Sequence, residues 1–382
     1  MAGGMNLASR YSTVVDERFT RESQAVLALN NEYKFKGDKT VYVYSHPVVQ
    51  MTDYTRSGTS RYGTPSDLTR NVQELTINKD RAFTYIIDQG DKIQSEMVTD
   101  AGKSLSRQIR EVVVPEYDRY IFNKMASTAT AKGNLLTTAA TKSNAYELFL
   151  NGQEHLGNAN IPDKGRVAFC SYRFANLLMQ DPAFMKYGNQ SQEMTVKGIL
   201  GEVDGVKIVK VPSARLPLGA AYILAHPSAT TAPKQLEDFK IHDNPPGING
   251  WLVEGRVIYD CFILNNKNEG IYYLGSQAVL SDLIVNTAAT ATNKSTVLVL
   301  TDVPTGYSLY YKVGTAAETV AYDNIVSTST SGSASNTIYG WTALTNASEL
   351  TKASTETEIT VVMVETSSMK AKAVGSTELN FG

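Results

Sequence analysis

The chain has 382 residues, 42% of them hydrophobic and 19% charged, with 36 Lys+Arg against 38 Asp+Glu. That length allows two or three domains, and that hydrophobic share supports packed cores and excludes wholesale disorder. A formal charge of -2 argues against a basic nucleic-acid binder while leaving room for a local basic patch. Cys170 and Cys261 lie far apart, which is no disulfide framework and fits folding in a reducing compartment. The N-terminus carries no basic segment followed by an apolar run, and no stretch nears the ~18 apolar residues of a membrane span, so neither secretion nor membrane insertion is expected.

Residues 40–49, TVYVYSHPVV, alternate as a strand does, and 73–88, QELTINKDRAFTYIID, alternate again. Between them lies a polar stretch with Asp53, Arg56, Arg61, Tyr62, Asp67 and Arg70, and with Gly58, Gly63 and Pro65 for bends. The pattern predicts a long hairpin with an extended tip. A connection of that length in a compact domain signals interaction more often than solvation. An isolated hairpin is marginal in water, so its tip is expected to rest on another surface. The tip has no lysine and mixes arginine with aspartate, which favours a protein contact over nucleic acid.

Leu105, Ile109, Val112, Val113, Tyr117, Tyr120, Ile121 and Met125 recur at three- and four-residue spacing. They predict a helix over 99–126, about 42 Å long at 1.5 Å per residue. Pro115 lies inside the stripe, removes one backbone donor and clashes with the preceding turn, so a kink is expected there. A second helix is expected from 143–144 to about His155, with Glu147 in its first turn. RVAFCS at 166–171 reads as a buried strand, and 172–180 as a short helix ending before Asp181-Pro182. The region 196–285 is rich in strand patterns broken by glycine and proline.

Composition changes after residue 285: the last 97 residues hold 31 Ser or Thr, five lysines and no arginine. Residues 286–295, NTAATATNKS, are small and polar and read as a linker able to project a domain away from the body. Apolar alternation returns at 297–299, 308–313 and 359–364, with turns at 304–306 and 331–333. Short strands with Thr-rich surfaces predict a small β-sandwich. Tyr310, Tyr311, Trp341 and the ITVVMV run argue for a folded core over a Thr-rich tail.

No catalytic constellation stands out. The sequence lacks a nucleophile elbow, a phosphate-binding loop and a dinucleotide fingerprint, and Gly198, Gly201 and Gly205 read as turns. His46, His155, His226 and His242 have no second ligand at metal spacing, and His46 and His226 precede prolines as strand ends do. Asp88 and Asp91 flank Gly90, where acidic residues satisfy free amides at the start of a helix better than they serve acid–base chemistry. Cys170 lies in an apolar strand and Cys261 between Asp260 and Phe262; neither has an adjacent activating cation, and both read as buried, inert thiols. The 21 tyrosines supply large contact area with a polar handle, which suits protein interfaces.

Several stretches in order resemble tailed-phage major capsid proteins of the HK97 fold. They are the hairpin itself, VVVPEYDRYIFNKMA at 112–126, AYILAHPSA at 221–229 with Pro233 after it, and GWLVEGRVIYDCFILNNKNEGIYYL at 250–274. The resemblance implies an α+β fold with an N-terminal arm over 1–39 and an E-loop hairpin over 40–88. A P-domain and an A-domain would fill 89–285, with the A-domain at about 196–245 and 89–180 largely P-domain. The linker 286–295 and an immunoglobulin-like β-sandwich over 296–382 would follow. It implies a structural subunit, not an enzyme, with no cofactor, metal or membrane contact. Copies would assemble as pentamers and hexamers around double-stranded DNA, held without sequence-specific contact, in the host cytoplasm and then the virion. Arg56, Arg61, Tyr62, Asp67 and Arg70 are the expected assembly contacts of the E-loop.

Too few residues precede the first strand for a built-in scaffolding region, so a separate scaffolding protein is expected beside a portal. Some members of this fold cross-link an E-loop lysine; residues 40–78 here contain none, so no such bond is expected. The C-terminal domain carries five Lys against eight Asp+Glu, which disfavours a place against DNA and suits the outer face, with host-surface glycans as a candidate contact. An encapsulin-like bacterial compartment is the alternative reading, distinguished by protein cargo in place of DNA. A cell-surface adhesin and an enzyme are weaker readings, for want of a signal peptide and a catalytic motif.

Overall fold

The apolar stripe that begins at Leu105 forms one helical run in three parts: α-helix Ala101–Gln108, a π turn over Ile109–Val113 and α-helix Val114–Lys132. The structure is a computed structural model and describes residues 23–30, 40–46, 48–49, 51–54, 56–57, 59–63, 67, 69–89, 101–182, 184, 199–291, 293–351 and 357–381. Pro115 accounts for the π turn. Proline cannot donate to the carbonyl four residues back, and just before it Val114 donates to Ile109, five residues back. The irregularity expected at Pro115 thus falls one turn ahead of it. The helix also runs on to Lys132, past its predicted end.

That helix covers one face of a six-stranded sheet, ordered Leu135–Leu136, Ile271–Gly275, Ala220–Ala225, Val167–Ser171, Val206–Val211, Ile199–Val203. Successive strand residues point to opposite faces, and here each face has its own core. Phe169, Ile223 and Tyr273 join Tyr117, Ile121 and Phe122 of the long helix. Cys170, Tyr222 and Leu274 join Phe149 and Phe174 of the helices Ala145–Asn158 and Tyr172–Gln180. The second of these starts at Ser171, whose side chain accepts from the Phe174 amide at 3.2 Å, so strand and helix meet at one capping residue.

A second sheet holds Lys234–Asp243, Gly250–Tyr259 and Lys79–Asp88. Gly255 sits between Phe83 and Phe239 in the register, and a Cβ there would run into the Phe83 ring. The two aromatics occupy the space that the missing side chain leaves.

These sheets divide the chain differently from the expected domains. Residues 145–180, expected to be largely P-domain, share the six-stranded sheet and its helices with 199–225. Lys234–Asp243, expected in the A-domain, pairs instead with Gly250–Tyr259. The cause lies in the side chains: Val167–Ser171 is buried at every position and needs both faces covered, whereas the mostly polar Lys234–Asp243 suits a sheet edge.

The run read as one strand over 73–88 is two. Asn71–Thr76 pairs with Thr40–Ser45 in the hairpin, from Thr40↔Thr76 to Ser45↔Asn71, while Lys79–Asp88 belongs to the second sheet. The break falls at Asn78, whose backbone amide donates to Asp260 Oδ2 at 3.0 Å instead of to a strand. Asp88, expected at a helix start, ends that second strand opposite Gly250; Asp91 lies outside the described residues.

Of the expected arm over 1–39, residues 23–30 are described; the others lie outside the described residues. Ala25–Ala28 makes a single 3-10 turn with Ala25 and Ala28 fully buried. The buried Asp118 of the long helix seats it, accepting from the Ser23 hydroxyl and from the amides of Gln24 and Ala25, and pairing with Arg215 at 2.9 Å.

The segment 286–295 is not an open linker. Val285–Ala291 and Lys294–Val299 form an antiparallel hairpin, joined by Ser348–Thr351 into a three-stranded sheet. Small residues such as Ala288 and Thr296 pair across it, while Val285, Val297 and Val299 point inward. There they meet Leu309, Leu344, Ile359 and Val361 of a larger sheet built on Tyr307–Gly314, Glu358–Glu365 and Lys370–Glu378. The C-terminal part is therefore a β-sandwich. The outer face of its larger sheet holds Val326, Trp341, Val362 and Val364 in a core of its own.

Candidate functional site

The hairpin is anchored at its base. Leu75 and Ile77 are buried against Leu264, with Val41, Val43, Ile258 and Phe262 around them. Gln73 closes the contact from both ends of its amide: its nitrogen donates to the Ile263 carbonyl at 3.0 Å, and its oxygen accepts from the Asn265 amide at 2.9 Å. A groove of about 650 Å³ runs along this root between the strand ends at Tyr44 and Val72 and the turn at Asn265 and Lys267.

Arg56, Arg61, Tyr62, Asp67 and Arg70 are all exposed. The structure brings two of the five to aromatic partners. Tyr62 packs edge-on against Tyr54 with ring centroids 5.0 Å apart, and its carbonyl accepts from the Thr52 hydroxyl at 3.2 Å. Arg70 places its guanidinium 5.3 Å from the Tyr44 ring centroid, so it stands beside the strands rather than at the far tip. Arg56 and Asp67 are not drawn into either contact.

Charge is only half of this surface. Tyr42, Tyr44, Val48, Val49, Met51, Tyr54, Tyr62 and Val72 are eight of the eighteen large apolar side chains exposed among the described residues. Met51 is 100% exposed and Val48 96%, and exposed apolar residues gathered together mark interaction surfaces where single ones do not. Sequence reading passes over them because Val48 and Val49 close the alternating run at 40–49 and Met51 falls in the polar stretch that follows. The signal that could have found them is position: apolar residues followed at once by a long polar connection have no neighbouring strand to cover them.

Elsewhere the chemistry is quiet. Cys170 and Cys261 are fully buried, and burial pushes both thiols well above the usual thiol range, which disfavours the nucleophilic thiolate. No group of three or more His, Cys, Asp or Glu able to hold a metal occurs among the described residues. Among the described residues no helix is long and apolar enough to cross a membrane. His226 caps the 3-10 turn Pro227–Ala229 by accepting from the Ser228 amide, and His242 lies 3.1 Å from Glu254 on the second sheet.

No protein-family model matches the sequence, and no curated relative matches it. Solved structures match the fold. A structure of Mycobacterium phage Che8 superposes with a TM-score of 0.51 at 18% identity, covering 65% of this chain and 89% of that one. A structure of Microbacterium phage Oxtober96 gives 0.51 at 13% identity, covering 66% and 90%. A capsid structure of the cyanophage P-SCSP1u gives 0.48 at 13% identity, covering 63% and 84%. The mixed α+β body of this chain, with its long helix, central sheet and projecting hairpin, has the HK97 capsid fold.

Proposed function

We propose that the chain is the structural subunit of an icosahedral phage shell, assembling with copies of itself as pentamers and hexamers around packaged DNA. The observation that carries this reading is the hairpin on an HK97 body, with its eight exposed apolar side chains interleaved with Arg56, Arg61 and Arg70. Fully burying a side chain of this size contributes about 1.5–3 kcal/mol, while an exposed ion pair contributes about 0–1 kcal/mol. On that scale the apolar cluster supplies the association energy, and the charges select partner and register. A surface of the same molecule is the simplest partner, since a repeated subunit offers the same complementary patch at every contact of a ring.

A separate scaffolding protein, a portal and an outward-facing sandwich able to touch host glycans belong to the same reading. The test is expression of the full chain, alone and with a scaffolding candidate encoded beside it, followed by electron microscopy and nucleic-acid analysis of the particles. Closed shells or capsomers are expected. A chain that stays monomeric in both settings overturns the reading, and shells filled with one cargo enzyme in place of DNA replace it with the encapsulin-like compartment.

A further inference from the structure

The C-terminal sandwich does not hang from the body on a tether. Within five residues the chain passes from the body's core into the sandwich's core: Val279 packs with the long-helix core, Leu280 with the Trp341 core, and Leu283 with the inter-sheet core. Hydrogen bonds hold both ends of this crossover. The Val279 amide donates to Thr130 Oγ1 on the long helix at 3.3 Å, and the Leu283 amide donates to the Val374 carbonyl at 2.9 Å. Ser281–Asp282 pairs in parallel with Ala373 and Val374. Gly375 lets the two chains approach: a Cβ there would collide with the Leu283 carbonyl oxygen.

The crossover lands beside the root of the hairpin. Asp282 and Lys79, the first residue of the strand that follows the hairpin, line one cleft of about 600 Å³ between body and sandwich. Tyr120 of the long helix also lines it. Among carboxylates, Asp282 exerts the strongest pull on the Lys79 ammonium, which also stands 4.8 Å from the Tyr120 ring centroid. The Tyr120 hydroxyl donates to Asp260 Oδ1 at 2.7 Å, and Asp260 Oδ2 takes the Asn78 amide that ends the hairpin. Burial raises the Asp282 carboxyl and lowers the Lys79 ammonium from their ordinary values; Lys124 and Arg119 of the long helix also face Asp282. Asp282 and Lys79 thus bring opposite charges to one partly desolvated cleft, where Glu116 and Asp260 also attract Lys79.

We infer that the C-terminal sandwich is a brace for the hairpin root, fixing the strand at Lys79 through the crossover 279–285 and thereby setting the angle at which the hairpin leaves the body. The importance of that angle rests on the hairpin being the assembly arm; the bracing itself does not. The bracing bears on a chain cut at Asn286. Such a cut leaves Leu280, Leu283 and Val285 without the sandwich residues that cover them, so the sandwich is not an ornament the body can shed unchanged.

Hydrogen exchange followed by mass spectrometry on the unassembled full chain tests the brace. Asp282→Lys adds a cation where Lys79, Lys124 and Arg119 already converge, and Asp302→Lys makes the same charge change at an exposed loop of the sandwich. Amides of 71–78 are expected to exchange about tenfold faster in Asp282→Lys and at the wild-type rate in Asp302→Lys. Unchanged protection of 71–78 in Asp282→Lys overturns the inference, whether the sandwich strand Glu358–Glu365 stays protected or melts. Because the exchange is read on free subunits, it tests the brace even in a chain that never forms shells.

Discussion

The hairpin at 40–76 and the C-terminal sandwich are both built from short antiparallel strands rich in valine, threonine and tyrosine, yet they treat their apolar side chains in opposite ways. In the sandwich two sheets face each other, so alternate residues such as Ile359 and Val361 fall to 0% exposure. The hairpin has two strands and one anchored end. Leu75 is 1% exposed at the base, while Tyr44 is 57% and Val49 68% exposed further out. The same local pattern thus yields a self-sufficient core where a second sheet is supplied within the chain, and a waiting surface where it is not.

The comparison makes graded predictions. The largest effect belongs to the hairpin's apolar side chains: Val49→Asp with Met51→Asp is expected to abolish shells while leaving the circular dichroism and melting temperature of the subunit unchanged, since both residues are exposed. Trp341→Ala, at 2% exposure, is expected to do the reverse within the sandwich, costing about 3–5 kcal/mol in urea unfolding monitored on that domain. Equal stability losses from the hairpin and sandwich variants would erase the distinction between them. A smaller effect comes from the charges. Arg61→Glu with Arg70→Glu is expected to raise the protein concentration needed for assembly severalfold, read by light scattering, with subunit folding intact. Normal assembly of this double variant would remove the arginines from the contact. The smallest effect is none at all: with no lysine between Thr40 and Asn78, mature particles are expected to run as one monomer band on denaturing electrophoresis. A heat-stable ladder of multimers would contradict the non-covalent account.

Much of the body is legible from local signals. The helix Tyr172–Gln180 can be read to the residue because its cap Ser171, its apolar face and Asp181-Pro182 all agree. The strand Val167–Ser171 is legible because a short, wholly apolar run has few alternatives. What escapes depends on partners distant in sequence. The break at Asn78 follows from Asp260, which belongs to another strand's end. The hairpin at 286–295 reads as a linker because alanine and threonine serve equally in a loop and on the open face of a sheet; only pairing with Ser348–Thr351 decides between them. The candidate site divides the same way: Arg56, Arg61, Tyr62, Asp67 and Arg70 are visible as charges and a ring in a long connection, while Val48, Val49 and Met51 gain meaning only once nothing on the described chain covers them.

The most direct test of that meaning is a side-chain-resolution cryo-electron microscopy map of the assembled particle. The account predicts that Val48, Val49, Met51 and Tyr62 of each subunit lie buried on a neighbouring copy, with Arg61 and Arg70 facing acidic or polar groups of that neighbour. A closed shell in which those four side chains stay in solvent would contradict it.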